Sequence, residues 1–346
     1  MYDINTSKSY FDCTNFYFEI DKEDDFRRKG PSKENRKDSI VGMGLLLDSD
    51  QIPIGIKMFP GNQSEKPVLR DVITELKRKN QIASKTVHVA DKGLNYTQNI
   101  AFSKEDGDGY LFSKSVKTLP EKEKTWVLLA NDWQNVTSRD GRLLYRYKSC
   151  IDKFPYTVEV EGIRKTVYFT EKRLVTYNPK LVAKKKQEIK KQIDKARSQV
   201  KRSEYGELGK YVDSLDEGGD KATATVNEVA IKKKLRFSGY NLLVTSETEM
   251  SDQDIYDTYH NLWRIVESFR VMKSDLDTKP VFLQKESTIK GHFLICYLAV
   301  LLKRILQCKV LNNKYSTSDI MKFTRGFQVF KGETRYILIQ LNQVIL

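Results

Sequence analysis

Aromatic and β-branched residues crowd the segment from Tyr10 to Ile20, YFDCTNFYFEI, which reads as a strand. A period of two places Tyr10, Asp12, Thr14, Phe16 and Phe18 on one face. A charged, loop-like stretch from Asp21 to Asp38 follows, containing RRKGPSKENRK. Two further strands are predicted over Ser39–Leu47 and Ile52–Phe59, joined through DSDQ as a hairpin. A helix over Ser64–Arg78 carries Val68, Val72, Ile73 and Leu76 on its apolar side, and TVHVA at Thr86–Ala90 is a short buried strand ending at Asp91. A short helix at Asn95–Ser103 and a strand at Tyr110–Phe112 complete this region. Three strands, helix, strand, helix, strand is the order of a mixed α/β sheet whose first three strands are antiparallel.

The middle of the chain has another texture. Residues 125–132, 143–150, 155–160 and 165–170 read as short strands, and Lys180–Arg202 as a basic helix. Its apolar positions Val182, Ile189, Ile193, Ala196 and Val200 keep a seven-residue rhythm, so one side packs. Asp213–Thr225 is polar and reads as a loop. A strand at Tyr240–Thr245 returns to the earlier pattern. A long helix is expected from Asp252 to about Leu276, then a second from about Ser287 to Cys308, and a final strand at Tyr336–Leu341. The implied boundaries are a core over 1–118, an insertion over 119–235, the second part of the core over 236–310 and a tail over 311–346.

Composition narrows the class. With 39% hydrophobic and 31% charged residues the chain reads as globular, and a formal net charge of +14 favours a polyanionic partner such as DNA or RNA. Cys13, Cys150, Cys296 and Cys308 form no C-x-x-C pair and His88, His260 and His292 do not cluster with them, so neither a zinc site nor a disulfide framework is expected and a reducing, cytoplasmic setting fits. The longest apolar run, Phe293–Leu302, is too short to cross a bilayer and reads as a buried helix.

An acid inside an aromatic strand needs a reason, because an isolated carboxylate is expensive there unless it is paired, hydrogen-bonded or on a metal. Two-metal phosphoryl transfer calls for carboxylates converging from separate elements. In an RNase H-type arrangement one acid sits on the first strand, the next at the end of a neighbouring strand, the third on a later helix. Asp12 and Asp91 meet the first two conditions, and WRIVESFR must supply the third.

Here the sequence resembles the insertion-sequence transposases with a DDE catalytic domain, in particular the group with a Y-R-E-K signature on the third-acid helix. The resemblance runs from about residue 8 to 310, through YFDCTNFYFEI, KGPSKENRKDSIVGMGLLLD, FPGNQSE, VHVADKGLN, YHNLWRIVESFRVMKSDLDTKPVF and IKGHFLICYLAVLLKRI. It implies an RNase H-like mixed sheet flanked by helices, with a mainly β insertion carrying the basic helix. It also implies Asp12 and Asp91 as ligands of Mg2+ or Mn2+. Metal-dependent DNA strand cleavage and strand transfer follow, on transposon ends and target DNA, by a homodimer on DNA in the bacterial cytoplasm at the nucleoid.

The sequence departs from the signature at the third acid. Tyr259 and Lys273 keep the spacing, but Val266 stands midway between them and the nearest acid, Glu267, is turned by about 100° on a regular helix. Either Glu267 is the third ligand through a local bulge, or Val266 has replaced it and the chain is an inactive remnant that binds DNA or a full-length transposase. Tyr259, Arg264, Lys273, Lys33 and Arg36 are the candidate DNA contacts. Trp263 reads as core, and His260 and His292 as structural. The chain opens at the first strand of the catalytic fold, where such transposases carry a DNA-binding region first, which suggests a truncated form.

Overall fold

In the computed structural model the described residues are 4–20, 22–34, 37–160, 162–197, 211–216, 222–276, 281–331 and 336–340. In chain order they form β1 (Lys8–Phe18), β2 (Ser39–Leu47), β3 (Pro53–Pro60), α1 (Val68–Asn80), β4 (Val87–Ala90), α2 (Thr97–Glu105) and β5 (Gly109–Lys114). Next come α3 (Glu121–Leu128), β6 (Gln134–Thr137), β7 (Leu143–Val160), β8 (Ile163–Tyr177), α4 (Pro179–Arg197), β9 (Val212–Asp216), β10 (Ala222–Val226), α5 (Glu228–Leu235) and β11 (Tyr240–Thr245). The last elements are α6 (Asp252–His260), α7 (Trp263–Arg270), α8 (Glu286–Ile305), α9 (Thr317–Arg325), β12 (Phe327–Lys331) and β13 (Tyr336–Gln340). The chain divides into two compact units, the first made of residues 1–112, 155–168 and 253–346, the second of 113–154 and 169–252.

The first unit holds the expected mixed sheet, in the order β3-β2-β1-β4-β5. β1, β2 and β3 are antiparallel, while β4 runs parallel to β1 and β5 parallel to β4. All nine residues of β2 are buried, as its unbroken apolar run demands of a central strand. The two faces of β1 meet different partners. Phe11 reaches the α1 side, where a Cβ on Gly44 would strike both its ring and Val68. Phe16 points the other way, onto Phe293 of α8, with ring centroids 4.3 Å apart. The face that carries Phe16 also carries Asp12.

A buried polar chain joins β1 and β4 to α1. Ser9 Oγ lies 2.7 Å from His88 Nδ1, His88 Nε2 lies 2.7 Å from Asp108 Oδ2, and Lys77 Nζ reaches the same carboxylate at 2.6 Å. With every member partnered, the group is a satisfied interior network that pins neighbouring elements.

In the second unit β11, β8, β7 and β6 follow one another in an antiparallel arrangement, β11 pairing with β8 and β6 with β7. Arg173 on β8 is almost wholly buried, bonded to Glu171 and Glu123 and lying over the Phe154 ring at 3.2 Å. Its charge is thus matched within the interior. Ile189 and Ile193 of α4 form a small core with Tyr211, against which Val226, Ala230, Ile231 and Leu235 pack. The periodicity of the basic helix therefore located its packed side; Val200 and the helix beyond Arg197 lie outside the described residues.

Several expectations are corrected. Residues 121–128 are helical, not a strand at 125–132: Pro120 followed by Glu121 and Glu123 in the first turn starts a helix before the apolar TWVLL run. The three short strands over 143–170 are one long hairpin, β7 and β8, in which Pro155 interrupts neither strand. The polar stretch 213–225 contains the β9–β10 hairpin. The long helix expected over 252–276 is two helices, α6 and α7, followed by a π-turn at Val271–Asp275. The α8 run is amphipathic rather than buried all round: Phe293, Cys296 and Val300 are inside, whereas Leu294, Ile295, Leu298 and Leu302 are exposed. Among the described residues no helix is long and apolar enough to cross a membrane.

Candidate active site

The register of the sheet brings the first two acids together. Phe11 on β1 is paired in parallel with Ala90, the last residue of β4, so Asp12 and Asp91 each follow one member of that pair, Asp91 just beyond the end of its strand. The Asp12 carboxyl is pushed up to about 6, chiefly by burial. The Lys33 ammonium and the Cys13 backbone N–H pull it down, while Glu65 and Asp91 push it further up. Asp91 lies close enough to couple electrostatically, and Tyr259 Oη donates to Asp91 Oδ1 at 2.9 Å. Asp12 Oδ1 accepts from the Cys13 backbone N–H at 2.7 Å.

Basic side chains border this pair. Lys33 donates to the Cys13 carbonyl and lies 3.8 Å from Asp12 Oδ1 and 3.3 Å from Glu65 Oε1. The loop that carries Lys33 is stitched down by reciprocal backbone bonds between Arg28 and Ile40 and by Asn15, which donates to the Pro31 carbonyl. Gly30 and Gly61 allow that fit: a Cβ on Gly30 would lie 2.1 Å from the Gly61 carbonyl oxygen, and one on Gly61 2.1 Å from that of Ile40. Lys273 pairs with Glu34 at 3.2 Å and sits 5.4 Å from the Phe16 ring centre. Burial first, and the charge of Lys33 second, bring its ammonium down to about 8. Glu34 and Glu65 were not singled out as functional residues from the sequence. Glu65 closes the FPGNQSE segment, but only the fold shows that this turn lies beside β1.

Glu267 is placed elsewhere. It is 8% exposed, and Thr317 Oγ1 donates to Oε1 at 2.7 Å. Arg264 bonds Oε2 at 3.1 Å, Arg304 lies 3.6 Å from the same oxygen, and Arg270 lies 3.9 Å from Oε1. Around Leu262 the bonds run from N–H to the carbonyl three residues back, as in Leu262 to Tyr259 and Ile265 to Leu262. Such a turn advances about 120° per residue rather than 100°. Tyr259 and the residues of α7 are therefore out of the phase that one unbroken helix would give. Tyr259 meets Asp91, Val266 is 59% exposed, and Glu267 turns inward toward α8 and α9. Arg264 is occupied by Glu267 and lies over the half-exposed Trp263 ring at 3.9 Å, so Trp263 is not core. His260 bonds the Tyr256 carbonyl within its own helix. Arg36 lies outside the described residues.

Two partly exposed carboxylates that follow the last paired residues of β1 and β4 and couple electrostatically fit part of a divalent-cation site. The three-acid set with Glu267 does not fit, and among the described residues no group of three His, Cys, Asp or Glu side chains could hold an ion.

No family model matches the chain, and no curated protein matches it. A similar solved structure is that of the piggyBac transposase synaptic complex with hairpin DNA, at 11% identity and a TM-score of 0.44, covering 92% of this chain and 51% of that one. The chain thus spans about half the length of that protein, and at this level of similarity none of its chemistry transfers.

Proposed function

We propose that the chain is the RNase H-like catalytic domain of a DNA transposase, performing metal-dependent strand cleavage and strand transfer. The observation that carries this reading is that Asp12 and Asp91 directly follow the paired residues Phe11 and Ala90 of β1 and β4, with Lys33 3.8 Å from Asp12. Asp12 and Asp91 would hold the ion, Mg2+ or Mn2+. A bound divalent ion supplies activation of the attacking oxygen and stabilisation of the leaving one. Tyr259 fixes the orientation of Asp91 through its hydroxyl. Lys33 supplies positive charge beside Asp12, and Lys273, with its lowered proton affinity, stands by as a donor to phosphate oxygen. Backbone contacts of this type position DNA without reading its sequence.

The burial of Glu267 favours a second reading, in which the chain binds DNA or a full-length transposase but does not cut. One experiment separates them. Purified chain is mixed with Mg2+ or Mn2+ and DNA carrying a pre-cut end, beside Asp12→Ala and Asp91→Ala. Cut and joined products that vanish in both variants support the enzyme. Salt-sensitive binding with no products in any of the three supports the non-cutting form, and products that persist in both variants sink the site.

A further inference from the structure

We propose that the lysine stripe on the outer face of α4, in the second unit, is a grip for the phosphodiester backbone of duplex DNA. It extends the DNA-processing reading, from which it takes only the kind of polyanion.

Pro179–Arg197 contains seven lysines and one arginine against two acids, Glu188 and Asp194. The inner side of the helix is fixed by Ile189 and Ile193, buried with Tyr211 and packed on α5. At about 100° per residue, Lys180, Lys184, Lys191 and Lys195 fall in a narrow sector opposite those isoleucines. All four are exposed. With a rise of about 1.5 Å per residue the stripe is about 22 Å long, enough to run beside about six phosphates of one DNA strand.

The helix carries eight basic residues against its two acids. Glu188 is bonded to Lys185 at 2.7 Å. That bond first, and the charges of Lys185, Lys184 and Lys234 of α5, hold the Glu188 carboxyl below its usual range, so the surroundings are positive. A face that serves only as a solvated surface gains from opposite charges four residues apart, and like charges at that spacing repel. On the stripe Lys180 and Lys184, and Lys191 and Lys195, repeat that spacing, although Glu188 follows Lys184 and Asp194 follows Lys190 at the same interval. A polyanion laid along the stripe removes that repulsion and releases its own counterions.

The test uses the full chain in EDTA, a short fluorescent duplex of arbitrary sequence, and anisotropy across a series of salt concentrations. Lys184→Glu/Lys191→Glu is compared with Lys117→Glu/Lys122→Glu, an equal charge change at exposed positions of the same unit off this helix. The first pair is expected to weaken binding at least about tenfold and to flatten the log–log salt slope by about two, while the second pair changes both much less. Lys184→Gln/Lys191→Gln, which introduces no new acids, shows the same flattening at smaller amplitude. Matched near-ultraviolet circular dichroism shows that each variant is folded. Equal losses for the two glutamate pairs, an unchanged slope for the α4 variants, or no duplex binding by the parent chain overturns the proposal. Binding through α4 here with no products in the Mg2+ or Mn2+ assay upholds it while the catalytic reading fails; products in that assay with α4 variants that bind normally here do the reverse.

Discussion

Two of the candidate site acids, Asp12 and Glu267, are opposites in the way each is held. Asp12 has burial against its charge, so Asp12→Asn removes a disfavoured charge and is expected to leave stability equal or higher near neutral pH, as happens where a site trades stability for function. Glu267 sits among Arg264, Arg304 and Thr317, so Glu267→Gln strands buried cations and is expected to cost about 3 kcal/mol in a denaturant titration. Equal stabilities for the parent and Glu267→Gln would remove the structural role argued for that residue. Asp108 gives the pH response. Burial works against its charge, but hydrogen bonds from His88 and Lys77 outweigh that and hold the carboxyl below the ordinary 3.8. Its contribution is therefore complete above about pH 3.8 and is lost as the pH falls below that through the lower folded-state value. Asp108→Asn is expected to flatten the acid limb of a melting-temperature profile; an unchanged limb refutes the link.

At the scale of elements, the first five strands and two helices were legible because their residues alternate or repeat with the period of the final structure. Tyr10–Ile20 is two-sided, and its sides meet α1 and α8. The misread elements carry conflicting signals. TWVLL has strand composition but follows helix-start residues, and Pro155 resembles a terminator though β7 continues through it. The placement of Asp12 within β1 and of Asp91 directly after β4, its parallel neighbour, could be anticipated, since both strands are recognisable. The place of Glu267 could not: it depends on the turn at Leu262 and on Arg304 and Thr317, which are 37 and 50 residues away in sequence. The packing of α8 on β1 is open to test. Phe293 is fully buried against Phe16, and Phe293→Ala is expected to cost about 3–5 kcal/mol, read from the denaturation midpoint; a loss below about 1 kcal/mol would mean that α8 is not a structural part of the sheet's second face.

On the scale of the whole molecule, sequence distance and function part company. The first unit draws on three separate stretches of chain, and Tyr259 reaches Asp91 across 168 residues. The excess of positive charge is spread likewise, part beside Asp12 and part on α4. This discontinuity matters before the protein is complete. β1 to β5 leave the ribosome well before α8, which covers the Phe16 side of the sheet. At about 5–20 residues per second the wait is roughly ten to forty seconds. For that interval a nascent chain displays a bare aromatic surface beside a nearly all-apolar β2, and its yield in a cell should hinge on whichever holdase shields that surface until α8 arrives.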